Sequence, residues 1–270
     1  MKIFQVYYKH EQLDSLDPAF SPYDNTANPH PELREWYTIK EIYTWAKQLE
    51  LSMWGTVSWK FRQKTGITGE DFVKFIENNP GYDVYFINPA VINEAVFANS
   101  WEQGDIHHAG ISHLANKFLT QIGYVDVDVK AMVLDRTRTS FSNYFVGTAE
   151  FWNRYIAFID KIFIEADKDP KFKQSVFGTG TSNYAADRSL PNFIFIVERL
   201  LSIFIELEDI KSLNYTYTLQ EKYQPYAADI MALSDLKILI NRYESDELYA
   251  IWNHYRRQFL QKNPGVLNLE

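Results

Sequence analysis

The stretch from Ser182 to Leu219, SNYAADRSLPNFIFIVERLLSIFIELEDIKSLNYTYTL, constrains the fold more than any other. It opens as a polar loop. Pro191 then suits the first turn of a helix, where its missing N–H has no intrahelical partner to lose. Phe193, Ile196, Val197, Leu200, Leu201, Phe204 and Leu207 follow at helical spacing, and Ile194, Phe195, Ile203 and Ile205 fill most of the remaining surface. A helix apolar nearly all round has to be buried, yet this one carries Glu198 and Arg199 at its centre. A buried carboxylate must find a partner or shift its pKa. Successive helical residues point about 100° apart, so these two need not pair with each other. Either each meets a separate structural partner, or the helix delivers a carboxylate to a site. Beyond it, Tyr215, Tyr217 and Leu219 alternate like a short strand.

The rest of the chain supplies what such a helix is buried against. Lys2 to Tyr8 is a β-rich run that predicts a first buried strand. Asp14 to His30, rich in Pro, Asp and Asn, predicts a long loop, and loops of that length are more often functional than idle. Pro31 to Glu50 predicts a helix with Leu33, Trp36, Tyr37, Tyr43 and Ala46 to Leu49 on its apolar stripe. Leu51 to Trp59 predicts a strand, with Gly55 where a ligand or another backbone comes close. Thr68 caps the next helix, with Asp71 three residues on. Asp83 to Ile87 is a buried strand ending at Asn88-Pro89. A helix from Ile111 closes at Gly123, and Val125 to Val129 alternates Val and Asp. Ser140 to Gly147 predicts another strand, and Thr148 caps the aromatic helix that follows. Strand and helix alternate throughout, which argues an α/β fold with a mainly parallel, Rossmann-like sheet flanked by helices. Past Gln220 the pattern changes to two amphipathic helices, Ala227 to Tyr243 and Asp246 to Gln261. The expected organisation is a domain over residues 1–218 and a helical extension over 219–270 packed on it.

Composition narrows the function. A net charge of −8 lacks the basic footprint of a nucleic-acid binder. With no cysteine, disulfide and thiolate chemistry are excluded. The opening MKIFQVYY has no signal-peptide pattern, and no apolar run is long enough to span a bilayer; a cytoplasmic location is the expectation. Aromatic residues make up 16% of the chain, enough for a large aromatic core and for platforms that stack on sugars or bases.

Several groups could carry chemistry. Glu198 in an apolar setting could take a proton from a hydroxyl nucleophile. Lys60, Arg62 and Lys64, just past a strand, could offset a diphosphate or could be a solvated cationic turn. Asp126 and Asp128, two apart, would share one face of a strand and could hold a divalent cation such as Mn²⁺ or Mg²⁺; they could equally be the solvent side of an edge strand. Asp83 and Asn88 flank a buried strand, either one placed to meet a ligand. His107, His108 and His113 lack the spacing of a zinc site on a helix. Gly178-Thr179-Gly180-Thr181 is too isolated for a phosphate loop, and a G-x-S-x-G elbow is missing.

Taken in order, these segments resemble a family of small bacterial glycosyltransferases with a GT-A-type nucleotide-diphospho-sugar fold, found in capsule, O-antigen and other surface-glycan clusters. The segments that carry the resemblance are DNTANPHPELREWYTIKEIYTWAK, LSMWGTVSWKFRQKTG, GYDVYFINP, EQGDIHHAGISHL, SNYFVGTAEFWNRYIAFIDKIF and NFIFIVERLLSIFI. They cover roughly residues 1–218 and stand in the family's order. The chain departs from the family where Trp59-Lys60-Phe61-Arg62 replaces a His-Tyr-Arg-Arg tail and where no D-x-D stands at a strand end. The resemblance implies transfer of a sugar from a nucleotide-sugar donor to the hydroxyl of a glycan or surface-polysaccharide precursor. It implies donor contacts at Tyr7, Tyr8, Asp24, Asn25, Arg34, Lys60 and Arg62, with Arg199 a diphosphate or structural partner. Glu102, Gln103, His107 and His108, joined by Asp83 and Asn88, would line the sugar or acceptor. Glu198 would be the base of an inverting reaction. The arginine-rich last helix would be a membrane-surface contact or an ordinary surface helix. The alternative is a non-catalytic carbohydrate-binding or scaffold protein on the same fold.

Overall fold

A computed structural model describes residues 1–178, 190–216 and 219–269. Residues 182–189 of the polar stretch, Thr179 to Thr181 and Tyr217 fall outside them. Among the described residues the elements run β1 (Lys2–Tyr7), β2 (Ser21–Asp24), α1 (Glu35–Gln48), β3 (Met53–Ser58), α2 (Phe61–Thr65), α3 (Gly69–Asn78), β4 (Val84–Phe86), α4 (Val91–Val96), α5 (Ser100–His107), α6 (Ile111–Gln121), β5 (Phe145–Thr148), α7 (Ala149–Lys168), α8 (Pro170–Phe177), α9 (Asn192–Leu207), β6 (Ser212–Asn214), α10 (Ala227–Tyr243) and α11 (Asp246–Lys262).

The strands form one open sheet in the order β2-β1-β3-β5-β4-β6. β1 pairs parallel with β2 and β3, and β4 parallel with β6; β5 runs antiparallel to both β3 and β4. The expected α/β architecture is therefore present, with one reversed strand. Alternation along the strands serves both faces. Phe4, Val6, Trp54, Val84, Phe86 and Phe145 enter the larger core with α1, α6, α7 and α9. Ile3, Val57, Tyr85, Ile87 and Val146 enter a second core with Phe61, Phe72 and Ile76 of α2 and α3. Helices covering both faces are what a mainly parallel sheet requires. Trp152 of α7 stacks on Trp54 at 3.9 Å and donates its indole N–H to the Trp54 carbonyl at 2.7 Å.

Gly55 is the place where a backbone comes close, as its strand position suggests. A Cβ there would lie 2.2 Å from the Phe145 carbonyl oxygen of β5. The capping residues Thr68 and Thr148 accept from the Asp71 and Phe151 N–H groups. α9 is buried along nearly its whole length. Three expectations are corrected. The Asp14–His30 segment contains β2, whose Tyr23 alone is buried. Val125–Val129 is not a strand: the segment turns, Asp126 and Asp128 are exposed, and Asp128 accepts from the Asn116 amide. The predicted last strand lies earlier, at β6, with Tyr215 still bonded to the Phe86 carbonyl.

α10 and α11 pack on α4 through Ile230, Leu233, Trp252 and Phe259. At their centre Lys237 is fully buried and donates to the Glu94 carboxylate and to the carbonyls of Glu94 and Phe97. Of the paired arginines in α11, Arg256 is turned inward onto Glu102, the Val96 carbonyl and the Trp252 ring. It is therefore engaged inside the protein rather than presented to a surface. No helix among the described residues is long and apolar enough to cross a membrane.

Candidate functional site

The loops after β1 and β3 leave the sheet in opposite directions, since β2 lies on one side of β1 and the route through α3 leads to the other. In open α/β sheets that divergence makes a crevice beyond the carboxyl ends of the strands, where ligands bind. A cleft of about 310 Å³ lies at this place. Tyr8 comes from the end of β1, Asn28, Arg34 and Glu35 from the approach to α1, Asn143 from the start of β5, and Ile194, Phe195 and Glu198 from α9. Because β5 is antiparallel, its amino-terminal end lies at the carboxyl edge of its neighbours, and this brings Asn143 and Tyr144 to the cleft side. A small inner chamber continues beneath, lined by Tyr8, Glu35, Thr38, Ser58 and Asn143. Thr38 Oγ1, buried there, finds no hydrogen-bond partner among the described residues.

Glu198 has two-sided surroundings. Its side chain is 40% exposed, yet it lies in a concave wall with protein on most sides. Burial pushes its carboxyl up to about 7; Glu35 adds to this, while Arg199, Lys64 and Arg34 pull the other way. The open part of the Glu198 side chain lines the cleft. A group with that pKa is poised to exchange protons at neutral pH. Glu35 accepts from the Asn143 amide at 2.9 Å. The Tyr144 hydroxyl lies 2.6 Å from Ser58 Oγ, with the Lys64 ammonium 6.0 Å from its ring. Tyr8 and Tyr144 both hold their phenol protons more firmly than usual, chiefly because of burial.

The backbone around the cleft is strained. Asn28 and Arg34 have φ values of 35° and 50°. Arg34, with ψ near −131°, occupies a region that disfavours a side chain, and strain of this kind collects at binding sites.

The sequence-predicted residues divide between the cleft and the scaffold. Tyr8, Arg34 and Glu198 line the cleft. Asn25 is buried just past β2, and the Tyr7 phenol is bonded to the Asp24 carboxylate beside it. Lys60 and Arg62 are exposed at the start of α2 and do not line the cleft; the Lys60 ammonium sits 5.1 Å from the Trp59 ring. Arg199 is an internal clamp. Its guanidinium donates to the Ser100 carbonyl, the Phe195 carbonyl and Gln103 Oε1, all at 2.8–2.9 Å. Glu198 is 3.9 Å away. Gln103 is thereby committed to Arg199, and Glu102 to the Ala98 N–H and Arg256. His108 is buried and stacked on Phe195 at 3.5 Å, and burial next to Arg199 lowers its pKa to about 4. His107, beside it, is lowered for the same reasons. Asn88 closes a turn onto Ala90. Asp83 lies at the amino end of β4, the edge opposite the cleft, and accepts from the Lys211 N–H. Asp126 and Asp128 do not line the cleft. Among the described residues no cluster of three or more His, Asp or Glu side chains is placed to share a metal ion.

The sequence reading missed Glu35, Asn143 and Phe195 as cleft residues. Asn143 reaches the cleft only because β5 runs antiparallel to its neighbours. No family model, curated protein or solved structure matches the chain.

Proposed function

We propose that the chain is a glycosyltransferase that moves a sugar from a nucleotide-diphospho-sugar to the hydroxyl of a glycan. The observation that carries this reading is Glu198, a carboxyl raised to about 7 on the wall of a cleft at the sheet's switch point. Arg34 supplies a fork of donors for an anion in the same cleft. Tyr8 and Phe195 offer flat faces beside them. The ordered resemblance of residues 1–218 to GT-A-type enzymes supports the donor class.

In this reading the acceptor oxygen bonds to the anomeric carbon from one side while Glu198 takes its proton. The bond from that carbon to the diphosphate oxygen breaks on the other side, and its electron pair leaves on the diphosphate. The anomeric configuration inverts. Arg34 counters the charge that grows on the leaving group, with Lys64 adding to the field. This moves the diphosphate role from Lys60 and Arg62 to Arg34. Arg199 positions Glu198 without touching substrate.

Glu198→Gln tests it. The variant keeps the shape of the side chain but loses the proton acceptor. Donor consumption in the presence of a mixed glycan extract should fall by at least about a hundredfold, with donor affinity retained. Unchanged transfer by a folded Glu198→Gln variant would remove the base assignment, and donor binding without any turnover would favour the carbohydrate-binding alternative.

A further inference from the structure

Helix α1 presents three distinct flanks. Trp36, Ile39, Ile42 and Ala46 are buried. Lys40 and Tyr43 are tied to α7 through Asp160 and Asn153. The third flank carries Tyr37, Glu41 and Trp45, spaced i, i+4 and i+8 so that they fall on one stripe. Trp45 is 53% exposed. Its indole and the ring of Tyr23 of β2 meet edge-to-face, with ring centres 5.7 Å apart. Glu41 lies between the rings, and its two oxygens accept the hydroxyls of Tyr23 and Tyr37, each at 3.0 Å. His30 continues the row, its ring 4.5 Å from that of Tyr37. Two residues before His30 is Asn28, on the rim of the cleft. The stripe from Tyr37 to Trp45 spans about 12 Å.

We infer that this stripe is a docking track for an extended glycan chain, the part of the acceptor that projects beyond the cleft. The flank is not a broad apolar patch of the kind a stable protein interface needs. Leu49, one turn past Trp45, is apolar and 56% exposed, but Thr44, Lys47, Gln48 and Glu50 around it are exposed and polar. It alternates flat rings with a carboxylate already positioned by two phenols. Carboxylate oxygens have lone pairs beyond the two phenol bonds, so Glu41 can still accept from sugar hydroxyls. The electron-rich ring faces suit the weakly positive C–H faces of a pyranose. The neighbouring sheet edge does not invite strand addition instead, because Pro22 in β2 has no N–H to offer. The choice of ligand class rests on the glycosyl-transfer reading, but the binding itself needs neither nucleotide nor turnover.

The test is an array of immobilised oligosaccharides of increasing length, probed with the wild type, Trp45→Ala and Glu41→Gln in the absence of any nucleotide. The melting temperature of each variant is measured first to confirm the fold. The wild type should retain a subset of glycans, with affinity rising with chain length. Trp45→Ala should weaken that retention about tenfold, and Glu41→Gln should weaken it as well. Retention unaffected by either substitution, or no glycan retained at all, overturns the track. Self-association of the wild type that Trp45→Ala abolishes would also overturn it, making this flank a contact between copies. Failure here with intact nucleotide-sugar binding would leave the transferase reading standing, and the two results are therefore separable.

Discussion

Replacing Arg199 with methionine should destabilise the protein and raise the pKa of Glu198 further. The guanidinium joins α9 to α5 through the Ser100 carbonyl and Gln103 Oε1, and closes onto Phe195 of its own helix. The Phe195 carbonyl keeps its helical partner after the substitution. The Ser100 carbonyl likewise keeps its helical partner in α5, so the main loss falls on Gln103 Oε1, which loses a buried charged donor at about 1–3 kcal/mol. Methionine fills much of the volume, and removing a buried cation returns part of its desolvation cost. The expected net loss is about 1–3 kcal/mol, read as a lower urea midpoint with an unchanged slope. Arg199→Lys should recover little, since an ammonium cannot span the same three acceptors as a planar fork. Gly104→Ala probes the clamp from the other side, because its Cβ would sit 2.7 Å from Arg199 Nε. A loss below about 0.5 kcal/mol for Arg199→Met would refute the clamp and reopen Arg199 as a ligand contact.

Other consequences follow from the same packing. Lys237→Met leaves the Glu94 carboxylate buried, with the Ser234 hydroxyl still donating to it at 2.7 Å, and should cost about 3–5 kcal/mol; adding Glu94→Gln should recover much of that in a double-mutant cycle by urea melts. Gly55→Ala drives a methyl group into the β5 backbone and should cost at least about 3 kcal/mol, seen as loss of soluble, cooperatively melting protein. Glu198 also links stability to pH. Its folded pKa of about 7 lies above the ordinary 4.5, so between those values the folded state holds a proton that the unfolded state has released. Stability contributed by the protonated form is therefore lost as pH rises through that window. Glu198→Gln lacks this loss and should gain on the wild type as pH rises, by less than the full shift because the side chain is partly exposed. Melts of both proteins across the window check it; a constant difference would contradict the raised pKa.

Much of this fold is legible in the sequence because its strongest signals are local. Pro191 and the apolar run after it, the Thr68 and Thr148 caps, and the two last helices each carry their own start, stop or periodicity. What was missed depends on partners distant in the chain. β2 contains proline and aspartate and buries only Tyr23, so its strand character comes from pairing with β1. α4 and α5 are short, and α5 has little amphipathic periodicity; it starts because Asn99 accepts from the Trp101 and Glu102 N–H groups. Val125 to Val129 has the alternation of a strand but no neighbour to pair with. The site shows the same division. Tyr8 and Arg34 could be found as residues beyond strand ends or at a helix entry, and Glu198 as a charge in an apolar helix. Asn143 could not, because its position depends on β5 running antiparallel. A parallel strand would have put it at the edge where Asp83 lies.

The central claim is that the cleft beneath Glu198 binds a nucleotide-diphospho-sugar, and a thermal-shift panel of UDP-, GDP-, CMP- and dTDP-sugars, each with and without Mn²⁺, tests it most directly. A ligand present at about 100 times its Kd stabilises by about 2.7 kcal/mol, which for a chain of this size raises Tm by about 5 °C. The account predicts such a rise with one nucleotide class, and its loss in Arg34→Ala but not in Lys60→Ala. No rise with any donor at saturating concentration, or a rise that survives Arg34→Ala, would contradict it.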